Sequence, residues 1–276
     1  MFIINVPSTE YQIILDCCDD AVERFIFAQF YPHTYYNIQD YIKPRAYIYQ
    51  AKEDIRYHLE GEKEEVLATA DILFAMRKII ESFLIPKEDY LFFHAACIAK
   101  GSSAVLLLGE SMAGKSTLST YLFANGFDYL TDDYTIIQQS NNTIEPFKKL
   151  IHIRQGTEQL LKRKGVNVPV FNFGTFDRSF IFPTLTRDER KYKLIAGIVL
   201  GSYTRNTNNT DSSIREIVNI TQKRTFFLEN LFTTSDLLQD IVKVNRLIAD
   251  IPLYFTVNND LDATSRRISN VLEALA

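Results

Sequence analysis

A chain of 276 residues exceeds the usual single domain of about 100–200 residues and leaves room for one α/β unit with a smaller appended module. With 46% hydrophobic residues, 23% charged residues, 20 Phe and 15 Tyr, it can bury an aromatic core and is excluded from the class disordered by composition. A formal net charge of −4 provides no global basic field, so no nucleic-acid partner is expected.

The opening residues Met1 to Pro7 lack a basic segment followed by a long apolar one, and no later stretch reaches about 18 uncharged apolar residues, so neither secretion nor membrane spanning is expected. The cysteines are Cys17, Cys18 and Cys97, an adjacent pair and an odd total that suit a reducing, cytoplasmic compartment. In chain order, residues 1–40 carry short alternating runs such as Phe2–Val6 and Tyr11–Leu15, rich in β-branched and aromatic side chains, and are expected to be strands. From Glu62 to Leu84 apolar residues recur at helical spacing, predicting a helix of about twenty residues that Pro86 ends.

Leu91–Ala99 and Ala104–Leu108 are apolar runs separated by Lys100-Gly101-Ser102-Ser103, expected as a hairpin of buried strands. Lys115–Asn125 follows with helical periodicity and Gly126 as C-cap, then short strands over Phe127–Leu130 and Tyr134–Gln138. Further strands are expected over Ile151–Ile153, Leu194–Leu200 and Leu253–Val257, and helices over Thr157–Lys164, Ser235–Ala249 and Leu261–Leu275. The polar stretch Ser202–Ser213 is expected to be an exposed loop or a disordered flap.

Residues 109–116, Gly-Glu-Ser-Met-Ala-Gly-Lys-Ser, match the pattern of a phosphate-binding P-loop, with the required apolar strand before and helix after. Such a loop wraps its amides and the helix N-terminus around phosphates, while the lysine reaches the β- and γ-phosphates and the serine hydroxyl meets Mg²⁺. A nucleoside triphosphate with Mg²⁺ is accordingly expected on Gly109, Ser111, Ala113, Gly114, Lys115, Ser116 and Thr117. Asp132 and Asp133 stand 17 and 18 positions after Lys115, at a strand end where a metal-organising carboxylate belongs. Two adjacent acids permit one to hold metal while the other accepts a proton. His94 lies inside an apolar run 15 positions before Gly109, where a buried histidine is more often a hydrogen-bonded core residue than a catalytic one. The charge runs Lys162-Arg163-Lys164 and Arg187–Lys191 read as solvated surface, and Cys97 as a small core residue.

The arrangement of His94, the loop with Lys115 and Ser116, and Asp132-Asp133 resembles the bacterial HPr kinase/phosphorylase family and its kinase-like relatives, over about residues 90–160. The resemblance implies an α/β fold: an HPr-kinase-like P-loop domain over residues 89–276, related to phosphoenolpyruvate carboxykinase, after a smaller N-terminal β-rich or α+β module with its linking helix over residues 1–88. It also implies γ-phosphoryl transfer from ATP to a serine hydroxyl of a protein or peptide, and it allows a homo-oligomer. Carried across, Asp132 is the proton acceptor, Asp133 and Ser116 are the metal ligands, and His94 and Arg154 complete the catalytic set. Two positions depart from the family pattern. Thr117 stands where an acidic residue follows the loop serine, and His152-Ile153-Arg154-Gln155-Gly156 stands in place of Glu-Ile-Arg-Gly, so His152 replaces a metal-binding glutamate. These departures resemble the divergent relatives found with peptide-modification gene clusters, such as lasso-peptide precursor kinases. A nucleotide-binding regulatory module without catalysis, or a kinase for free serine-like metabolites, are the alternatives. An ordinary ATPase motor or GTPase is disfavoured, because the Asp pair comes early and no guanine-reading Asn-Lys-x-Asp occurs.

Overall fold

The computed structural model describes residues 2–6, 11–16, 19–31, 33–35, 44–51, 54–68, 71–85, 88–172, 179–183, 190–201, 213–234 and 236–275. The chain is a mixed α/β protein that forms two compact units. The first takes Met1–Lys87 together with Lys148–His152 and Pro169–Arg187, the second Glu88–Phe147, Ile153–Val168 and Asp188–Ala276. Pro86, Cys17, Cys18, Ser202 to Ser212 and Arg187 to Glu189 lie outside the described residues.

In the first unit, strands β1 (Phe2–Asn5), β2 (Gln12–Asp16), β3 (Thr34–Tyr35), β4 (Pro44–Ala51), β5 (Asp54–Leu59) and β6 (Glu65–Ala68) form a six-stranded sheet in the order β3-β1-β2-β4-β5-β6. Only β2 and β4 pair in parallel, and helix α1 (Asp20–Phe30) lies in the crossover between them. The expectation that residues 1–40 are all strand is therefore corrected. Val22, Phe25, Ile26, Gln29 and Phe30 are buried at i, i+3, i+4, i+7 and i+8, and Asp19 accepts from the Val22 amide at 3.2 Å to start the helix. This helical stripe outweighs the β-favouring composition of the segment. The single long helix from Glu62 is likewise corrected, because Gly61, at φ 85°, turns the chain so that β6 pairs with β5. Helix α2 then runs only over Ile72–Leu84, burying Ile72, Ala75, Met76, Ile79, Ile80 and Phe83 on one face. The two later segments supply nearly all of a three-stranded sheet, β13 (Ile151–Ile153), β15 (Ser179–Ile181) and β14 (Val170–Asn172) in that order, and Phe180 meets Phe25 edge-on at 5.1 Å.

In the second unit the apolar run after Tyr90 divides in two, which corrects the single strand expected over Leu91–Ala99. Strand β7 (Tyr90–Phe93) pairs with β11 (Thr135–Gln138), whereas β8 (Ala96–Lys100) pairs with β9 (Ser103–Leu108) through a turn at Gly101, φ 64°. The nine-stranded sheet runs β10 (Asp128–Thr131), β8, β9, β16 (Tyr192–Gly201), β12 (Thr143–Glu145), β11, β7, with β18 (Leu253–Val257) paired to β16 and β17 (Arg215–Glu216) to β18. Its centre is parallel: β9 and β18 both run alongside β16 in the same direction. Such a centre must be covered on both faces. Ala104, Leu106 and Leu108 pack with Phe227, Val244 and Leu247 of helices α5 (Ile220–Asn230) and α6 (Leu237–Asp250). Helices α3 (Lys115–Ala124) and α7 (Leu261–Leu275) lie against β8, β9 and β16 and bury Leu118, Leu122, Ile268 and Leu272. Helix α4 spans Gln155–Arg163. Sequence periodicity had not indicated α5. Among the described residues, no helix is long and apolar enough to cross a membrane.

Lys164, after α4, donates to Asp260 and Asp262 at the start of α7, and Tyr121 of α3 donates to Asp262. The Lys164 ammonium, with Tyr121 behind it, holds the Asp262 carboxyl below its ordinary 3.8, and Asp260 is lowered by the Ala263 amide and then by Lys164. Depressed carboxyls contribute stability that is present above their ordinary pKa and is lost as pH falls through the lowered one. The melting temperature of wild type minus that of Lys164→Met is thus expected to be positive at pH 5–7 and to shrink as pH falls below about 4. A difference independent of pH between 7 and 2.5 contradicts the clamp. Leu106, fully buried in β9, sets a second expectation: Leu106→Ala costs about 2–5 kcal/mol in urea unfolding.

Candidate active site

Strand β9 ends at Leu108, held in register with Val199 of β16, and the next residue, Gly109, leaves the sheet at φ 140°. A side chain there would place its Cβ 2.7 Å from the Leu200 carbonyl oxygen, which is backbone and cannot yield. The loop turns through Met112 at φ 71° and Gly114 at φ 92°, and Gly114 opens α3 as its N-cap. At Gly114 a Cβ would stand 2.8 Å from the Asn258 side-chain amide nitrogen, just beyond β18. The loop therefore sits at the carboxyl ends of three neighbouring parallel strands, where ligands bind in open α/β sheets.

Lys115 is buried, and its Nζ donates to the carbonyls of Gly109 at 2.6 Å and Glu110 at 3.1 Å. Burial lowers its pKa, opposed by the negative charge of Asp133. Ala113 donates its amide to Glu110 at 3.2 Å, closing the loop on itself. Ser116 is half-buried in the first turn of α3, and its carbonyl accepts from Ser119 and Thr120 at 3.1 and 2.6 Å. Thr117 meets Thr157 at 2.9 Å, hydroxyl to hydroxyl, tying the first turn of α3 to the first turn of α4. Arg154 is the N-cap of that helix and is exposed.

Asp132 and Asp133 follow β10 and differ in setting. Asp132 is 2% exposed and accepts from the Tyr129 hydroxyl at 3.0 Å. Burial and then the two carboxylates raise the Tyr129 pKa well above its ordinary value, so this phenol remains a neutral donor. The Asp133 side chain is 40% exposed, with its Oδ1 3.7 Å from Nε2 of His94. His94 occupies the break between β7 and β8, and its amide donates to the Asn230 carbonyl at 2.7 Å. The Asn230 side chain, at the end of α5, in turn accepts from the Gly109 amide at 3.3 Å and donates to Phe226 at 2.9 Å. One residue thus joins the start of the loop to His94. A cleft of about 580 Å³ opens here, walled by His94, Glu110, Ser111, Phe226, Glu229 and Phe255.

The structure brings His94, Gly109, Lys115 and Asp133 into one neighbourhood. Thr117 and Arg154 connect to it through the Thr117–Thr157 contact, with Arg154 and Thr157 both in the opening residues of α4. The His152 ring packs 5.6 Å from Phe180. Lys162 pairs with Glu158 and Lys164 with the α7 acids, while Arg190 holds Asp128 with two bonds at 3.0 and 3.1 Å. Cys97 is free and fully buried, and desolvation pushes its thiol pKa up. Sequence reading missed Asn230, Tyr129 and Asn258. Tyr129, three positions before Asp132, was the only one with a local signal.

No family model matches the chain, and no curated protein matches it. Among solved structures it is similar to the Hpr(Ser) kinase/phosphatase from Coxiella burnetii, at 14% identity and a TM-score of 0.33, over 65% of this chain and 94% of that one. At so low a TM-score, the chemistry has to be read from the residues themselves.

Gly109→Ala forces a Cβ toward a backbone oxygen in a left-handed conformation. It is expected to lower unfolding free energy by about 1–3 kcal/mol, measured by urea titration. No change would show that the loop leaves the sheet by another route.

Proposed function

We propose that this protein is an ATP- and Mg²⁺-dependent kinase that transfers the γ-phosphoryl group to a serine hydroxyl of a peptide or protein. The observation that supports this best is the loop itself. Gly109 and Gly114 lack the side chains that neighbouring atoms would block, and Lys115 is held across the loop mouth with His94 and Asp133 beside it. The HPr-kinase-like identity of the fold belongs to this proposal.

The residues fit a nucleoside triphosphate with Mg²⁺. Loop amides and the α3 N-terminus favour anions, and Lys115 now bonds carbonyls that phosphate oxygens can outcompete. Among the described residues no group of three or more His, Cys, Asp or Glu side chains forms a metal cage. Ser116 and Asp133 would be the residues that hold Mg²⁺, which commonly takes few protein ligands and completes its shell with phosphate and water. Bound there, Mg²⁺ supplies positive charge against the phosphate oxygens. Gly109, Ser111, Ala113, Gly114, Lys115, Ser116 and Thr117 are assigned to the nucleotide, and Arg154 to charge developing on the transferred group.

Asp132 is assigned to receive the acceptor's hydroxyl proton as the serine oxygen bonds to phosphorus and ADP leaves. His94 keeps Asp133 oriented. Exposure favours a second division of labour: Asp132 is buried under Tyr129, whereas Asp133 meets solvent next to His94, a pair able to take up and pass on a proton.

Substitution separates the two. With Mg-ATP and a serine-peptide pool, Asp132→Asn and Asp133→Asn are each expected to reduce transfer, the base variant by about 10²–10⁴-fold with nucleotide-induced stabilisation intact. The metal variant loses that stabilisation as well. Stabilisation by Mg-ATP without transfer to any peptide favours a regulatory binding module, and labelling of free serine alone favours a metabolite kinase. No stabilisation by any nucleotide overturns the proposal.

A further inference from the structure

The 580 Å³ cleft beside the loop has a lopsided charge. One end is formed by His94 and by Gly109, Glu110 and Ser111, the residues that open the loop. Because His94 faces Asp133, and Lys115 bonds the carbonyls of Gly109 and Glu110, this end adjoins the groups proposed above for phosphoryl transfer. The charged side chains here are Glu110 and Glu229, both exposed; among the described residues no lysine or arginine lines the cleft, and neither glutamate has an ion-pair partner. Beyond them stand the rings of Phe226 and Phe255, which this cleft shares with a neighbouring cavity of about 460 Å³. There Arg215, 5.1 Å over the Phe255 ring, and Glu216 balance one another in charge.

We infer that the cleft selects a cationic acceptor: a peptide segment whose phosphorylatable serine is accompanied, within a few positions, by a lysine or arginine and then by an apolar residue. This rests on the kinase reading for the identity of the serine, but the charge selection stands on the cleft alone. With the Lys115 ammonium engaged by the Gly109 and Glu110 carbonyls and Arg215 balanced by Glu216, the two exposed carboxylates raise the local concentration of positive groups and repel acidic ones. The rings accept an apolar side chain, or stack beneath a guanidinium. An acidic acceptor would bring a third negative charge next to Glu110 and Glu229 and to the nucleotide phosphates. Mixed apolar and charged walls of this volume suit a few residues of extended chain better than a free amino acid.

The test uses the full-length protein with Mg²⁺ and a non-hydrolysable ATP analogue, and two fluorescein-labelled peptides with the same Ser-x-x-Leu-Phe core, one flanked by Lys and Arg, the other by Glu. The cationic peptide is expected to bind about ten-fold more tightly at low salt, with the preference shrinking as ionic strength rises. Glu110→Gln and Glu229→Gln should each weaken its binding about three-fold and leave the acidic peptide unweakened. Because both glutamates are exposed and the replacement is isosteric, a folding defect is not expected, and circular dichroism checks this. Equal binding, preference for the acidic peptide, no binding of either, or a preference untouched in the double variant overturns the inference. The same peptides with Mg-ATP are then assayed for transfer. Charge-selective binding without transfer refutes the kinase reading alone, and transfer without charge preference refutes the inference alone.

Discussion

The parallel pairing of β9 with β16, extended by β18, is the constraint on which the second unit depends. It joins segments nearly a hundred residues apart in the chain and lays the ends of three strands side by side. Gly109 meets the Leu200 carbonyl, and Gly114 meets Asn258, only because those ends are level. If β9 slipped by one residue, Leu106 and Leu108 would turn away from Phe227 and Leu247, so burial locks the register that places the loop.

From that edge the polar structure grows by contact. Asn230 holds the Gly109 amide with its side chain and the His94 amide with its carbonyl. The break between β7 and β8, which sends the two strands to different parts of the sheet, puts His94 at this junction. Lys115 spans the loop mouth, where burial lowers its pKa and the negative charge of Asp133 opposes that shift. Tyr129 keeps Asp132 buried and hydrogen-bonded while Asp133 meets solvent. Adjacent acids in such different settings have different chemical tasks open to them.

The loop was legible before any coordinates, because its signal is local. Glycines in a strand-loop-helix context state where the backbone must be left-handed, and the φ values of Gly109 and Gly114 agree with that. The spans of α3, α6, α7, β16 and β18 were close for the same reason. The errors also have physical causes. Residues 20–30 were read by their β-favouring composition although their period is helical, and residues 62–71 by a helical period that the turn at Gly61 overrules. Helix α5 went unseen because its apolar residues form no clear stripe; Phe227 is buried while Ile220 is exposed.

Legible from the sequence alone are the glycine-rich loop between a strand and a helix, the paired acids after it and the amphipathic helices at the C-terminal end. Each depends on neighbours within a few turns of chain. Only the tertiary structure decided which acid is buried, which asparagine joins the loop to His94, and that two glutamates share a cleft with two phenylalanines. The loop-to-His94 link and the shared cleft join residues more than a hundred positions apart, as Gly109 and Asn230 are, and no local pattern encodes them; the burial of Asp132 involves Tyr129 three positions away but is decided by the packing around both.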